Sequence, residues 1–312
     1  MPHALILSRH AQEYASLIAT ANLPDLQVLA TSSTTTAIEQ GRDCAIVFGE
    51  PNLIRLVLSR LPALRWVQAT WAGVEPLLDP NLRRDYVLTN ARSVFGAPMA
   101  EYVFGYLLAY ERRLLQRYTA QQFGRWDPTP PGTIRGKRLG LLGVGSIGAE
   151  LARTAKHFGL HVKGYTHSSE DCSSVDVYYH GADLQAFVTD LDYLVSALPN
   201  TPHTRHLVNA GVLSALRAKA IFINVGRGSA VDEVALAKAL NTGRLAGAVL
   251  DVFQEEPLPP THPFWETPNL LITSHTAAIT IPSEMTRVFV ENYQHFIRGE
   301  ALQYRVDFER GY

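Results

Sequence analysis

Short apolar runs alternate with segments of helical spacing along almost the whole chain, and this alternation limits the possible folds more than any other feature. Early in the chain the predicted strands are 4–7, 27–30, 45–48, 66–69 and 86–88. Segments 11–19 and 52–60 between them carry helical apolar spacing. Strands that alternate with helices join through right-handed crossovers into parallel sheets covered on both faces. The pattern therefore predicts an α/β fold.

The second half of the chain shows the same alternation more clearly. Its predicted strands are 138–142, 161–165, 193–198, 220–225, 245–250 and 270–273, and helices are predicted from Ile147 and Val234. After Pro282 an amphipathic segment runs to Gly299, a residue type that often ends a helix. We therefore expect two doubly wound parallel-sheet domains and a terminal helix.

The segment between the two halves follows a different pattern. From Met99 to about Tyr118, apolar residues cover most of the circumference of one predicted helix, which favours burial between domains or between subunits. Residues 127–136, DPTPPGTIRG, are too rich in proline and glycine to continue a helix. We expect one long helix followed by a surface arm, and a homodimer in which that helix is covered.

Chain length and charge narrow the classes of function. With 312 residues, of which 46% are hydrophobic, the chain has room for two domains with substantial cores. The formal net charge of -1 gives no basic field for nucleic acid or an anionic membrane, so neither is an expected partner. Cys44 and Cys172 lie outside any ligand-like spacing, which predicts neither a disulfide framework nor a metal site. The N-terminus lacks the basic leader of a signal peptide, so we expect a cytoplasmic protein.

A glycine-rich turn carries the most informative local signal. It reads Gly143-Val144-Gly145-Ser146-Ile147-Gly148 and lies between a predicted strand and a predicted helix. The first two glycines permit a tight turn and the close approach of a pyrophosphate, and Gly148 permits close helix–strand packing. The helix N-terminus offers unpaired N–H groups to the phosphates. Glycine turns also occur for steric reasons alone, but this strand–turn–helix context favours a dinucleotide cofactor.

The segment after the next strand bears on which dinucleotide binds. NAD sites usually carry an acid about 20 residues beyond the glycines, bonded to the ribose 2′-hydroxyl. Here the segment reads Thr166-His167-Ser168-Ser169, and the nearest acid, Glu170, comes later. Because the expected position carries no carboxylate, a 2′-phosphate is not repelled there. Thr166, His167 and Ser168 offer hydrogen bonds to such a phosphate. Because the segment contains no arginine, the pattern favours NADP but leaves NAD as the alternative.

Three later strand ends each carry an ionisable residue. Arg227 follows the strand at 220–225, Glu256 follows the strand at 245–250, and His275 follows the strand at 270–273. The carboxyl ends of parallel strands form the ligand crevice of an open sheet, so these side chains are expected to converge. A guanidinium suits a carboxylate, an imidazole transfers protons, and a nearby carboxylate favours the imidazolium. Taken singly, each residue has a structural alternative as a surface cation, a loop acid or a structural histidine.

Seven segments carry a resemblance to a known family. They are WAGVEPLL (71–78), GAPMAEYV (96–103), GLLGVGSIG (140–148), LPNTPHTRHLV (198–208), INVGRGSAVDE (223–233), LDVFQEEPLP (250–259) and PNLLITSHTAA (268–278). In content and order they resemble the D-isomer-specific 2-hydroxyacid dehydrogenase family, and within it the glyoxylate/hydroxypyruvate reductases. The resemblance implies NAD(P)-dependent reduction of a small 2-oxo acid, such as glyoxylate or hydroxypyruvate, to the D-2-hydroxy acid.

The resemblance also implies a domain arrangement. A Rossmann cofactor domain would be inserted into a flavodoxin-like substrate domain, and the end of the chain would return to the latter. The substrate domain would then comprise residues 1–98 and 282–312, and the dinucleotide-binding domain residues 99–281.

Catalytic roles follow from the same resemblance. Arg227 would anchor the substrate, and His275 would act as general acid/base. Glu256, directly before Pro257, would pair with His275, and Glu255 is the less favoured choice.

The remaining implied contacts are with substrate and cofactor. The substrate carboxylate would bind backbone N–H groups of Ala72, Gly73 and Val74. The nicotinamide carboxamide would be held by Asp251 and the backbone near Val225, and the rest of the cofactor would be lined by Leu198, Pro199 and Thr204.

Two other functions stay open on the sequence. Formate dehydrogenases of the superfamily pair the histidine with a glutamine, so Glu256 argues against formate oxidation. Cofactor-sensing corepressors of the C-terminal-binding type can retain the same three residues, and only the lack of extra tails or a basic arm argues against that class. A turnover assay separates a sensor from an enzyme.

Overall fold

The computed structural model describes residues 3–167 and 169–311, which form two parallel sheets with helices between the strands. The strands are β1 (His3–Leu7), β2 (Gln27–Thr31), β3 (Ile46–Gly49), β4 (Trp66–Ala69), β5 (Val87–Thr89), β6 (Arg138–Leu142), β7 (His161–Tyr165), β8 (Val177–Tyr179), β9 (Tyr193–Ser196), β10 (Ile221–Asn224), β11 (Gly247–Leu250) and β12 (Leu270–Ile272). The helices are α1 (Ala11–Thr20), α2 (Thr34–Gln40), α3 (Pro51–Val57), α4 (Gly96–Glu111), α5 (Leu114–Gln122), α6 (Ser146–His157), α7 (Leu184–Val188), α8 (Ala210–Ala215), α9 (Glu233–Asn241) and α10 (Pro282–Arg298). Single 3-10 turns lie at Leu58–Arg60, Glu75–Leu77, Gly181–Asp183, Gly228–Ala230 and Pro263–Glu266.

These elements divide into two compact units. Unit 1 comprises Met1–Val94 and Thr280–Tyr312, and unit 2 comprises Phe95–Ile279. The sequence-based limits, 98/99 and 281/282, differ from these by a few residues. The first difference arises because α4 begins at Gly96, so the whole helix belongs to unit 2.

Unit 1 is a five-stranded parallel sheet in the order β2-β1-β3-β4-β5. The helix α10 completes its core, because Phe289 is fully buried and stacks on Phe48 and Trp66 with ring centroids 4.8 and 5.4 Å apart. The helix predicted after Pro282 is confirmed, and it ends at Gly299 in the left-handed conformation (φ 69°).

Unit 2 is a seven-stranded parallel sheet in the order β12-β11-β10-β9-β6-β7-β8. From β6 the chain winds outward through β7 and β8, then returns to β9 and winds the other way. The direction reverses between β6 and β9, which makes that pair a topological switch point. The predicted fold class, two doubly wound parallel sheets, is confirmed, although β8 was not predicted.

The single helix expected from Met99 to about Tyr118 is wrong. α4 ends at Glu111, and Arg113 adopts a left-handed conformation (φ 56°) before α5 begins. The end of α4 is anchored because the Glu111 carboxylate accepts a hydrogen bond of 2.7 Å from the hydroxyl of Tyr193. Helix α5 buries no side chain within this chain, and its expected burial between subunits stays a prediction.

The connecting segments agree with the sequence pattern in one respect. Residues 127–136 form neither helix nor strand, as their proline and glycine content predicts. Within the described residues, none of the helices is both long and apolar enough to cross a membrane.

Candidate active site

Most of the predicted site residues lie at the carboxyl edge of the unit 2 sheet. One group follows each of six strands there: Gly143 after β6, Thr166 after β7, Leu198 after β9, Arg227 after β10, Asp251 after β11 and His275 after β12. The N–H of Gly143 donates to the carbonyl of Tyr165 at the end of β7, and at the switch point the N–H of Ala197 donates to the carbonyl of Leu142, each at 2.9 Å. In a doubly wound sheet this edge is where ligands bind.

The glycine turn has the geometry that a dinucleotide phosphate requires. Gly143 has φ +91°, and a Cβ on Gly148 would lie 2.1 Å from the carbonyl oxygen of Gly143, so no larger residue fits. A Cβ on Gly145 would meet no described atom within 4 Å, which leaves open space in front of the turn. Helix α6 begins at Ser146 without a side-chain cap and without an acid in its first turn. Its first N–H groups and the open space therefore suit a pyrophosphate.

The segment after β7 contains Glu170, the acid that follows the position where NAD sites usually carry one. His180 Nε2 lies 2.7 Å from Glu170 Oε1, and His180 Nδ1 lies 3.0 Å from the carbonyl oxygen of Thr166. Thr166 Oγ1 donates to the carbonyl of Ser169 at 2.8 Å. His167 is exposed, and Ser168 lies outside the described residues.

The ion pair of His180 and Glu170 was missed by the sequence reasoning. The hydrogen bond that His180 donates to Glu170 is the main cause that raises the pKa of His180, followed by its bond to the carbonyl of Thr166. His180 directly follows β8, whose register sets it beside Thr166 (Tyr165 pairs with Tyr179). Since β8 was not predicted, no local signal pointed to this histidine.

The loop after β9 is shaped by its own side chains. Thr204 Oγ1 donates to the carbonyl of Pro199 at 2.7 Å, and Leu198 is buried. Val225 is also buried, and its N–H donates to Ser196 at 3.0 Å. These residues lie at the sheet edge, and their contacts with a cofactor stay predictions.

The loop that carries Arg227 is held in shape from both ends. Asn224, fully buried at the end of β10, donates through Nδ2 to the carbonyl of Arg227 and accepts from the N–H of Gly226, at 3.0 and 3.2 Å. A Cβ on Gly228 would lie 1.9 Å from the carbonyl carbon of Phe253. Gly228 therefore lets this loop pack directly against the loop that carries Glu256. Asn224 was missed as a positioning residue, although it precedes the predicted Arg227 motif.

Glu256 and His275 form a hydrogen-bonded pair. His275 Nδ1 lies 2.8 Å from Glu256 Oε2, while Glu256 Oε1 accepts from the N–H of Phe253 at 2.8 Å. The pair is open on one side, with about half of the His275 side chain exposed (53%). This arrangement fixes the carboxylate and leaves His275 Nε2 directed away from it.

The charges of the site act on each other. The hydrogen bond that His275 donates to Glu256 raises the pKa of His275, against burial and the charge of Arg227, which lower it. Burial acts to raise the pKa of Glu256, but the hydrogen bonds from His275 and Phe253 and the charges of His275 and Arg227 lower it overall. Arg227 therefore lies near enough to act on both members of the pair. The arrangement suits proton transfer beside a bound anion.

Asp251 is buried directly behind His275. Its Oδ1 accepts hydrogen bonds from Thr273 Oγ1 at 2.5 Å and from the N–H of Thr276 at 2.8 Å, and its Oδ2 accepts from the N–H of Ala277 at 3.0 Å. These bonds leave acceptor capacity on Oδ2. The implied contact with a carboxamide is compatible with that capacity and stays a prediction.

The predicted substrate loop lies in unit 1, after β4. Asn90 donates through Nδ2 to the carbonyl of Ala72 at 2.8 Å, and the Val74 side chain is buried in the unit 1 core. These contacts fix the backbone on both sides of Gly73. The binding of a carboxylate by this loop stays a prediction.

Comparison with known proteins places the chain in a family. Residues 104–277 match the model of the D-isomer specific 2-hydroxyacid dehydrogenase, NAD binding domain. The chain is 34% identical over 280 residues to a glyoxylate/hydroxypyruvate reductase A of Yersinia enterocolitica, and the match covers 88% of each chain.

Solved structures agree with that match. A D-isomer specific 2-hydroxyacid dehydrogenase family protein from Aeromonas salmonicida is 40% identical, with a TM-score of 0.93 over 98% of this chain and 99% of that one. An NADPH-dependent glyoxylate/hydroxypyruvate reductase from Sinorhizobium meliloti, solved with NADP and sulfate, is 27% identical, with a TM-score of 0.87 over the full length of both chains. The chain is therefore an oxidoreductase that belongs to the D-isomer specific 2-hydroxyacid dehydrogenase family.

Proposed function

We propose that the chain reduces a small 2-oxo acid, of the glyoxylate or hydroxypyruvate kind, to its D-2-hydroxy acid with NAD(P)H. The observation that carries the proposal is the 2.8 Å pair of His275 and Glu256 at the carboxyl edge of a dinucleotide-type sheet. The relatives named as glyoxylate/hydroxypyruvate reductases support the substrate class. When bound, the nicotinamide supplies the hydride, and the protein supplies the proton and the charge that holds the substrate.

His275 is the proton donor in this proposal. Because Nδ1 faces Glu256, the proton that leaves is the one on Nε2. Glu256 favours the imidazolium and keeps the ring in one orientation, so that the proton is available as the C2 oxygen gains charge.

Arg227 is the substrate anchor. Its guanidinium matches the planar carboxylate of a 2-oxo acid and polarises the adjacent carbonyl. Asn224 and Gly228 hold the loop that carries it, so the anchor is positioned before the substrate arrives.

The test is the oxidation of NADPH and of NADH against a panel of 2-oxo acids that includes glyoxylate, hydroxypyruvate, pyruvate and phenylpyruvate. His275→Gln is expected to lower kcat by about 100- to 10,000-fold with little change in the Kd for NADPH. His295→Gln is the matched control, because His295 Nδ1 also lies 2.8 Å from a carboxylate, that of Glu300 in unit 1. A kcat of His275→Gln near the wild-type value refutes the proposal, and so does a wild-type protein that reduces none of the acids.

We further propose that the cofactor is NADP in preference to NAD. The first acid after β7, Glu170, lies 2.7 Å from His180, and Thr166 holds the position where NAD sites carry a carboxylate. A 2′-phosphate would therefore meet hydroxyl and imidazole groups there, and the Glu170 carboxylate is already hydrogen-bonded to the His180 ring.

Binding of two fragments tests this preference without turnover. The wild-type protein is expected to bind 2′,5′-ADP more tightly than 5′-AMP, and Thr166→Asp is expected to reduce that ratio. Thr35→Asp, which adds the same charge in the first turn of α2, is expected to leave the ratio unchanged. A wild-type protein that binds the two fragments equally contradicts the preference.

We also propose a homodimer. Apolar side chains around α5 and the arm are exposed: Leu114, Leu115, Tyr118, Phe123 and Trp126, the last at 93%. Exposed apolar side chains that follow one another along one segment suit an interface between copies of the chain. Sedimentation equilibrium is expected to give twice the mass of 34.5 kDa, and Leu115→Glu is expected to lower it toward one chain. A monomeric wild-type protein refutes the dimer.

A further inference from the structure

A chain of hydroxyl groups leads from helix α4 to the back of the His275 loop. Tyr102 in α4 lies with its hydroxyl 2.7 Å from Thr273 Oγ1, and Thr273 Oγ1 lies 2.5 Å from Asp251 Oδ1. Neither Tyr102 nor Thr273 belongs to the residues that the reaction requires. Their contacts nevertheless end on the buried carboxylate directly behind the proton donor.

The direction of these hydrogen bonds follows from the chemistry of their ends. An ionised carboxylate only accepts, so Thr273 must donate its single hydroxyl proton to Asp251. The Tyr102 hydroxyl must then donate to Thr273. Burial raises the pKa of Tyr102, so its hydroxyl keeps the proton that this arrangement needs.

The loop needs such support because of its backbone conformation. His275 has φ +57°, in the left-handed region that residues with a side chain rarely adopt. Its N–H donates to the carbonyl of Asp251 at 2.8 Å, and the N–H groups of Thr276 and Ala277 donate to the Asp251 carboxylate. Asp251 therefore holds the loop by its main chain, while Glu256 holds the ring.

We propose that Tyr102 and Thr273 are positioning residues for His275: in series, they orient the Asp251 carboxylate that holds the His275 loop in its left-handed conformation. The proposal rests on the proposed function, in which His275 is the proton donor. In this proposal, helix α4 helps to align the His275 imidazole through the hydroxyl of Tyr102.

Thr273→Val tests the proposal, because valine keeps the shape and removes the hydroxyl. The first measurement is the titration of the His275 ring by NMR in the full-length protein with labelled histidine, assigned with His275→Gln. The groups that face this ring are Glu256, Arg227 and Asp251. A looser loop weakens the bond to Glu256, so the pKa of His275 is expected to move down toward its ordinary value.

The second measurement is steady-state reduction by the same variant. We expect kcat to fall by roughly 10- to 100-fold, because the imidazole is displaced. The Kd for 2′,5′-ADP, a fragment without the nicotinamide that Asp251 is expected to hold, should stay near the wild-type value. Thr273→Ser restores the hydroxyl and is expected to restore both the titration and kcat. Tyr102→Phe is expected to give a smaller effect in the same direction.

Because the two hydroxyls act in series, the double variant is expected to behave like Thr273→Val alone. Two matched controls remove similar groups elsewhere in unit 2. Tyr110→Phe, two turns further along α4, removes a hydroxyl bonded to the carbonyl of Asn269, and Thr267→Val removes a buried hydroxyl bonded to the carbonyl of Pro263. Both are expected to leave the His275 titration unchanged.

The outcomes separate this proposal from the proposed function. An unchanged His275 titration and an unchanged kcat in Thr273→Val overturn it, and if that variant does not fold, the same results in Tyr102→Phe overturn it. The NMR titration needs no substrate. A wild-type protein without turnover would refute the proposed function and still leave the positioning role measurable.

Discussion

Gly228→Ala is the sharpest test of how the site is assembled. The added Cβ would lie 1.9 Å from the carbonyl carbon and 2.1 Å from the carbonyl oxygen of Phe253. Carbon atoms in contact need about 3.5 Å, so the Arg227 loop and the Glu256 loop must separate by about 1.6 Å. Both collision partners are backbone atoms, so no side-chain rotation relieves the overlap.

That displacement has a calculable consequence. A misplacement of about 1 Å costs about 100-fold in rate, so we expect kcat/KM for the 2-oxo acid to fall by at least about 100-fold in Gly228→Ala. Overpacking is expected to lower the free energy of unfolding by about 1–3 kcal/mol. The Kd for NADPH is expected to change little, because the glycine turn after β6 is untouched.

The assay is NADPH oxidation at saturating cofactor, with urea unfolding of the same preparations. Gly105→Ala is the matched control: it lies in α4, a Cβ there meets no described atom within 4 Å, and alanine is expected to raise the free energy of unfolding by about 0.5–1 kcal/mol. A second variant, Asn224→Ala, loosens the Arg227 loop without a collision and is expected to lower kcat/KM more mildly. Wild-type kcat/KM in a folded Gly228→Ala protein would refute the reasoning.

Three further results are expected. Glu256→Gln removes the main cause that raises the pKa of His275, so the pH at which reductive kcat/KM declines is expected to move to lower values; a pH profile without that movement contradicts the pairing. Arg227→Ala is expected to raise KM for the 2-oxo acid by about 10- to 100-fold, since a charge-assisted bond contributes about 1.5–3 kcal/mol, with the Kd for NADPH as the control. In unit 1, Asn292→Ala leaves Gln68 without one buried donor and is expected to cost about 1–3 kcal/mol in urea unfolding; no loss would show that this buried bond is dispensable.

Sequence reasoning succeeded where the pattern is local. The strand limits 66–69, 138–142 and 161–165 agree with the structure, because each segment is short and its apolar residues lie within a few positions of one another. The glycine turn could also be recognised from the spacing of its glycines. The structure gives the reason, because Gly148 lies too close to the carbonyl of Gly143 for a side chain to fit.

Features that depend on residues far apart in the chain could not be predicted from the sequence. At the break after α4, the partner of Glu111 is the hydroxyl of Tyr193, which lies 82 positions away. β8 has three residues, too few for a periodic signal, and His180 could not be placed beside Thr166 without its register. The support behind His275 joins Tyr102 to Thr273 across 171 positions, and no short motif encodes it.

The return of the chain to unit 1 has a consequence for how the protein is made. Until α10 leaves the ribosome, Phe48 and Trp66 lack the aromatic ring of Phe289 that covers them. The intervening residues 95–279 take about 10–40 s to synthesise at 5–20 residues per second. The N-terminal sheet therefore waits with an uncovered apolar face while the later-made unit can already fold, and nascent-chain protease protection is expected to appear first in residues 95–279.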